Sequence, residues 1–161
     1  DTYPGVWRHG DWIEITPAGG SVIYGRSDAT INRRGLRMGS SEIYQAVEGL
    51  DEVLDSLVVD LEFLGRDSFM PLFVVIAPGV TFDDTLKERI NDAIRTAVSP
   101  RFIPNEIVQI VEVPRTLSGK KLEVPVKKLL LGGNPETVVN RDSMANPESF
   151  DAFIAYAQTR Q

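Results

Sequence analysis

Valine-rich runs alternate along this chain with one long amphipathic segment, and this alternation restricts the fold more than any other feature. Residues 57–61 and 72–77 are apolar and rich in Val, which is typical of strands buried inside a sheet. Between residues 82 and 98 the apolar residues recur at helical spacing, and another β-rich run follows at 107–113. Strands that alternate with helices predict an α+β fold in which helices pack on a small mixed sheet.

Further elements are predicted on either side of this sheet. Residues 11–15 and 21–24 are β-rich and flank a Thr-Pro-Ala-Gly-Gly turn, so they predict a β-hairpin before the sheet. Near the other end, Asn146 followed by Pro147 is typical of a helix N-cap and predicts a C-terminal helix with an apolar stripe. We therefore expect a terminal hairpin segment at 1–27, a central domain at 28–131 and a C-terminal helical extension at 132–161.

Shorter elements are predicted inside the central domain. Ser41 is placed to cap a helix that ends near Gly49. Residues 65–68 form a connection between two strands, and a short strand at 122–124 precedes a helix from about residue 125 to residue 131.

Composition excludes several kinds of chemistry. The 161 residues contain no Cys and one His, His9, so disulfides, thiolate metal sites and a cysteine nucleophile are excluded, and a multi-histidine metal site is not expected. The net charge of -6 argues against nonspecific nucleic-acid binding. No apolar run approaches the ~18 residues needed for a membrane span, and we expect a cytoplasmic protein. The first residue is not Met, which favours a fragment of a larger protein.

A small-residue turn carries Lys120 between two apolar runs. Thr116, Ser118 and Gly119 pack little, so such a turn projects its lysine into solvent or into a partner cleft. An exposed hairpin tip and a functional lysine are both compatible with this pattern.

Basic residues are concentrated in two patches of an otherwise acidic chain. Each patch is either a solvated face paired with carboxylates or a site for a small polyanion. Their members are Arg26, Arg33, Arg34 and Arg37 in the first, and Lys120, Lys121, Lys127 and Lys128 in the second.

Asp11 follows a glycine and either holds both hydroxyls of a vicinal diol or begins a turn. Arg26 either contacts a ribose or phosphate or pairs with Asp28 at the exit of the hairpin.

Taken in order, three segments resemble the adenylate-forming superfamily of acyl-CoA synthetases, luciferases and peptide-synthetase adenylation domains. They are His9-Gly10-Asp11, then Gly25-Arg26-Ser27-Asp28 through Gly35-Leu36-Arg37-Met38 to Glu42-Ile43, and Pro114-Arg115-Thr116-Leu117-Ser118-Gly119-Lys120. The resemblance covers residues 7 to about 128. It implies a two-step ligase, in which a carboxylate reacts with ATP to give an acyl-adenylate and the thiol of CoA then displaces AMP.

The resemblance also implies a role for each matching residue. Lys120 corresponds to the adenylation lysine, and Asp28 to the hinge about which the small C-terminal domain turns. Asp11, Arg26 and Arg37 correspond to nucleotide-binding residues, and Gly35 and Arg95 to the CoA side. The large N-terminal domain of the superfamily has no counterpart here, so the chain is expected to be inactive by itself. Mg²⁺ is expected with ATP in the full enzyme, with no metal site in this chain.

Some positions depart from the common superfamily pattern. His9 stands where Thr is common, Ala29 replaces a second acid after the hinge residue, and Asn32 replaces a lysine. Together with the appended helix after Asn146, these details resemble most the members that activate acetoacetate, the acetoacetyl-CoA synthetases. The acetyl- and propionyl-CoA synthetases are the nearest alternatives. A noncatalytic nucleotide- or CoA-binding module and a purely structural interaction domain are the alternatives from other classes.

Overall fold

The computed structural model of the chain describes residues 11–26, 30–33, 36–63 and 66–160. The strands in these ranges are β1 (Asp11–Ile15), β2 (Ser21–Arg26), β3 (Ile31–Arg33), β4 (Leu36–Met38), β5 (Val53–Val58), β6 (Leu61–Phe63), β7 (Arg66–Phe69), β8 (Pro71–Ile76) and β9 (Glu106–Ile110). The α-helices are α1 (Ser40–Glu48), α2 (Asp84–Ala97), α3 (Glu123–Leu130), α4 (Pro135–Val138) and α5 (Phe150–Gln158). Short 3-10 turns lie at Pro100–Phe102, Arg141–Ser143 and Pro147–Ser149.

The central sheet has three strands in the order β5-β8-β9. Strand β5 runs antiparallel to β8, with Leu57 opposite Phe73, and β9 runs parallel to β8, with Val108 on the other side of Phe73. Parallel neighbours need a crossover connection, and α2 supplies it between β8 and β9. The predicted α+β fold with a small mixed sheet is therefore confirmed.

Helices cover both faces of this sheet, which explains why its central strand, β8, is apolar without alternation. Successive side chains of β8 point to opposite faces, so Leu72 and Val74 enter one core while Phe73 enters the other. Helices α1 and α2 fill the first core with buried side chains, among them Ile43, Val47, Leu86, Ile90 and Ile94. Helices α3 and α5 fill the second, with Val126, Leu129, Phe150 and Phe153. Among the described residues, no helix is long and apolar enough to cross a membrane.

The predicted hairpin is confirmed as the antiparallel pair β1 and β2, with an irregularity in register between Trp12 and Ile13. Two further hairpins, β3 with β4 and β6 with β7, were not predicted. The second of these occupies the stretch that the sequence indicated as a simple connection at 65–68. Strands of three or four residues give too short a periodic signal to be recognised.

Two predictions about helix starts are wrong. Helix α1 begins at Ser40 with Gly39 at its N-cap, so Ser41 lies inside the first turn and is not the cap. The predicted strand at 122–124 is instead the start of α3, with Leu122 at its N-cap. Pro125 lies in the first turn of α3, where its missing N–H costs no hydrogen bond, so the helix begins before the proline.

The predicted C-terminal helix is confirmed as α5, and Asn146 stands at the N-cap position, with Pro147 after it, of the 3-10 turn that leads into this helix. A 3-10 turn at Pro147–Ser149 precedes α5, and Asn146 makes no side-chain hydrogen bond to the N–H groups of that turn. Its side chain bonds the backbone at Val113 and Arg115 instead, more than 30 residues earlier in the chain.

Candidate functional site

Residues Thr116 to Lys120, called the Lys120 turn below, are closed by a compact set of hydrogen bonds. The N–H of Thr116 donates to the carbonyl oxygen of Lys120 at 2.9 Å, and the N–H of Gly119 donates to that of Thr116 at 2.8 Å. The Thr116 hydroxyl oxygen accepts from the N–H of Lys120 at 3.1 Å and lies 3.0 Å from the Ser118 hydroxyl. The flanking residues Arg115 and Lys121 pair as an antiparallel bridge. The turn is therefore a rigid platform for one exposed side chain.

The side chain of Lys120 is exposed at the tip of this platform. Within the described residues its ammonium group contacts no carboxylate, and Leu117 beside it is 72% exposed. A cation held on a fixed backbone with no internal partner is available to an anion that approaches from outside. Lys120 therefore lies on an exposed hairpin tip, a placement that is compatible with a functional lysine.

The two neighbouring cations, in contrast, are fully engaged with the body of the domain. The Arg115 guanidinium donates to the carbonyl oxygen of Gly119 and to the Asp55 carboxylate, both at 2.7 Å. The Lys121 ammonium contacts three oxygens: Glu48 Oε1 at 2.5 Å, the Ser56 carbonyl at 2.6 Å and Asp55 Oδ1 at 2.9 Å. All three protons of the ammonium thus have an acceptor, which fixes this side chain against β5 and α1.

The pKa of Asp55 reflects this arrangement. Burial raises the pKa of its carboxyl, but the hydrogen bonds and charges of Arg115 and Lys121 outweigh burial and leave it below the ordinary value. The carboxylate therefore stays ionised at neutral pH and joins both ends of the Lys120 turn to strand β5.

A second polar group lies under the turn, where α1 meets α3. Lys121 lies 3.8 Å from the centre of the Tyr44 ring, and the Tyr44 hydroxyl donates to Glu123 Oε1. The hydroxyl of Ser40 donates to the same oxygen at 2.5 Å. Burial, followed by the negative charge of Glu123, raises the pKa of Tyr44 well above its usual range. Tyr44 therefore remains a neutral donor that ties the start of α3 to α1.

The other predicted site residues lie on separate elements. The register of the first hairpin places Asp11 directly opposite Arg26. Arg37 is exposed on β4 opposite Asn32, and Arg95 lies in the last turn of α2, where it pairs with Asp92. Asp28 and Gly35 lie outside the described residues, and among the described residues no cluster of His, Asp or Glu is suited to a metal ion.

The chain is similar to several known proteins and to a solved structure. The chain is 46% identical to the acetoacetyl-CoA synthetase of Rattus norvegicus over 152 residues, which are 94% of the chain. It is 42% identical to the acetoacetyl-coenzyme A synthetase of Rhizobium meliloti over 160 residues. The solved structure of the acetoacetyl-CoA synthetase from Streptomyces lividans matches all of the chain, with a TM-score of 0.85 and 48% identity. No family model matches the chain.

The chain is a C-terminal domain of an adenylate-forming CoA ligase. As the ordered motifs predicted, it is similar to the corresponding part of the acetoacetyl-CoA synthetases. The chain spans 22% of the length of the rat relative, and 24% of both the Rhizobium relative and the Streptomyces structure.

The residues that hold the Lys120 turn were not recognised as a group from sequence. Arg115 and Lys121 stand inside or beside the motif, but their partners Glu48 and Asp55 lie more than 50 residues earlier. Asn146 was assigned to a helix cap. The available signal was two basic residues beside Lys120, which favours acidic partners elsewhere in the fold but does not identify them.

Proposed function

We propose that this chain is the mobile C-terminal domain of an acetoacetate–CoA ligase and that Lys120 serves the adenylation step. In that step a carboxylate oxygen of acetoacetate attacks the α-phosphorus of ATP, and the bond to the β-phosphate breaks to release pyrophosphate. In the second step the sulfur of CoA attacks the acyl carbon, AMP leaves, and the thiol loses its proton. Acetoacetyl-CoA, AMP and pyrophosphate are the products.

The observation that carries this proposal is the contrast among the three neighbouring cations. Arg115 and Lys121 are neutralised by carboxylates, whereas the ammonium group of Lys120 projects from the turn without one among the described residues. Carboxylate and triphosphate repel each other as they approach. An ammonium placed between them in a partly dehydrated cleft lowers the free energy of the transition state more than that of the separated reactants.

The remaining predicted residues complete the proposal. Asp11 and Arg26, which face each other across the hairpin, bind the ribose of the nucleotide, and Arg37 binds a phosphate. Asp28 is the hinge, and Gly35 and Arg95 lie along the path of CoA when the domain has turned. The partner is the large N-terminal domain, which supplies the acyl pocket and the site of ATP and its Mg²⁺, and the enzyme is cytoplasmic.

The two half-reactions test the role of Lys120 in the full-length ligase. We expect Lys120→Ala to lower acetoacetate-dependent ATP–pyrophosphate exchange by about 10² to 10³. Formation of acetoacetyl-CoA from supplied acetoacetyl-adenylate should stay within about twofold of the wild type, because the lysine acts before the adenylate exists. Lys128→Ala, which removes an exposed lysine from α3, is the matched control and should leave both steps unchanged.

Two further outcomes bear on this assignment. Equal loss of both steps in Lys120→Ala contradicts the proposed role. Exchange that is faster with acetate or propionate than with acetoacetate contradicts the proposed substrate. The 161-residue chain should show no exchange by itself, because it lacks the acyl pocket and the phosphate-binding loop.

A further inference from the structure

A short segment of the C-terminal extension runs along the backbone that leads into the Lys120 turn. This segment, residues 143–146, is called the C-terminal strap below. The N–H of Leu117 donates to the carbonyl oxygen of Ser143 at 3.1 Å, and the N–H of Ala145 donates to that of Arg115 at 3.0 Å. Thr116 and Met144 pair between them as an antiparallel bridge. The strap thus adds one more strand-like edge to the turn.

The side chain of Asn146 extends this pairing by two more hydrogen bonds. Its Oδ1 accepts from the N–H of Arg115 at 2.9 Å, and its Nδ2 donates to the carbonyl oxygen of Val113 at 2.9 Å. An Asn amide presents a donor and an acceptor side by side, as a backbone peptide group does. Asn146 therefore continues the ladder from Leu117 back to Val113, where the chain enters the body of the domain.

The strap is itself held firmly by the second core. Met144 is 4% exposed, and Phe150 and Phe153 on the following helix are fully buried. Phe153 packs against Phe73 of the central strand β8, with ring centres 4.6 Å apart. These contacts hold the strap, and with it the turn bonded to the strap, in a fixed position relative to the central sheet.

We propose that the C-terminal strap positions Lys120 for adenylation and that Asn146 is a positioning residue of the enzyme. The side chains of Arg115 and Lys121 hold the turn against β5 and α1. The strap holds the backbone of the turn through hydrogen bonds. Loss of the strap leaves the N–H groups of Arg115 and Leu117 without these partners and frees the turn to shift. Displacements of about 1 Å at a reacting group cost up to roughly 10²-fold in rate. This inference rests on the proposed function of Lys120.

The test uses Asn146→Ala in the full-length ligase, with both half-reactions measured. We expect acetoacetate-dependent ATP–pyrophosphate exchange to fall about tenfold or more, while thioester formation from supplied acetoacetyl-adenylate changes less than about twofold. The matched control is Asn134→Ala. Asn134 lies in the same extension, and its side chain accepts from the N–H of Glu136 at the start of α4, so the control removes a similar bond away from the strap and the Lys120 turn.

A second variant separates positioning from general loss of stability. Asn146→Asp keeps the shape and the acceptor for Arg115 but places an oxygen opposite the Val113 carbonyl, and it should also lower exchange selectively. Thermal unfolding is measured for all variants. Should Asn146→Ala behave like Asn134→Ala in exchange, or should both half-reactions fall equally in both Asn146 variants, the inference is overturned.

Lys120→Ala measured in parallel distinguishes the two proposals. If Lys120→Ala abolishes exchange and the Asn146 variants do not, the positioning role fails and the proposed function stands. If Lys120→Ala leaves exchange intact, the proposed function fails and the strap loses its role with it.

Discussion

Gly119 shows how one residue fixes the direction of the Lys120 turn. Its φ is +83°, in the left-handed region that side chains with a Cβ rarely adopt. A Cβ added there would meet no atom within 4 Å, so the requirement for glycine comes from the backbone and not from crowding. The Gly119 carbonyl also accepts from Arg115, which couples this conformation to the anchoring ion pair.

Gly119→Ala should therefore cost about 1 kcal/mol of stability and lower exchange by the full-length ligase about tenfold, because the turn relaxes and Lys120 moves. Gly79→Ala is a matched control. Gly79 has a φ of +81° and equally open surroundings, but it lies in the connection between β8 and α2. Urea unfolding should show similar destabilisation for the two variants. Similar exchange rates in both would refute a special role for the Gly119 conformation.

Among the secondary-structure elements, strand β5 and helix α1 act as the support of the turn. Asp55 on β5 binds both Arg115 and Lys121, and Glu48 on α1 binds Lys121. These contacts are intradomain and partly buried, so salt screens them less than it screens surface pairs. These ion pairs exist only while the carboxyl groups that bind Arg115 and Lys121 are ionised.

The pH dependence of stability follows from the lowered pKa of Asp55. A carboxyl whose pKa is lower in the folded state stabilises the fold fully above its unfolded value of about 3.9, and this contribution is lost as pH falls through the folded value. Asp55→Asn should thus cost about 1 kcal/mol at pH 7, and the difference should shrink below about pH 4. Asp51→Asn, at an exposed position, should show almost no difference at any pH. Urea unfolding from pH 3 to 7 measures both. A penalty for Asp55→Asn that is constant with pH would contradict this account.

At the scale of the whole molecule, helices pack on both faces of the sheet, and the C-terminal extension contributes much of the second core. Phe73 on the central strand contacts Phe153 and, at 5.1 Å between ring centres, Tyr156. Burial and a hydrogen bond to Glu106 raise the pKa of Tyr156 to about 12, so it stays neutral at the edge of this core. The helix that carries these rings also anchors the strap.

Phe153→Ala should cost about 3 kcal/mol or more, because it removes a fully buried ring and leaves a cavity against the sheet. The next residue on the same helix, Ile154, is only partly buried, so Ile154→Ala should cost distinctly less. Urea unfolding of the 161-residue chain gives both values. Equal and small effects would show that the extension is not part of the core.

The elements that could be predicted from sequence are those with a long local signal. The apolar periodicity of α2, the Val-rich run at 72–77 and the turn of the first hairpin each act over neighbouring residues, and these predictions are confirmed. The strand predicted at 57–61 is wrong in its bounds, because β5 ends at Val58 and Leu61 begins the separate strand β6. The strand predicted at 122–124 is wrong, because an apolar stretch of three residues does not distinguish a strand from a first helical turn. Ser41 and Asn146 are both cap-forming residue types, but the structure places the first inside a helix and uses the second at a distance.

The sequence by itself determined the resemblance to adenylate-forming ligases, the order of the motifs and the presence of Lys120 on a small-residue turn, because these depend on residue identity and on contacts between near neighbours. Only the tertiary structure decided what holds that turn. Its supports, Asp55, Glu48 and Asn146, come from 30 to more than 60 residues away, and their pairing depends on how the sheet and helices pack. Hydrogen bonds and ion pairs of this kind are specified by distance and direction in space, which spacing along the chain does not encode.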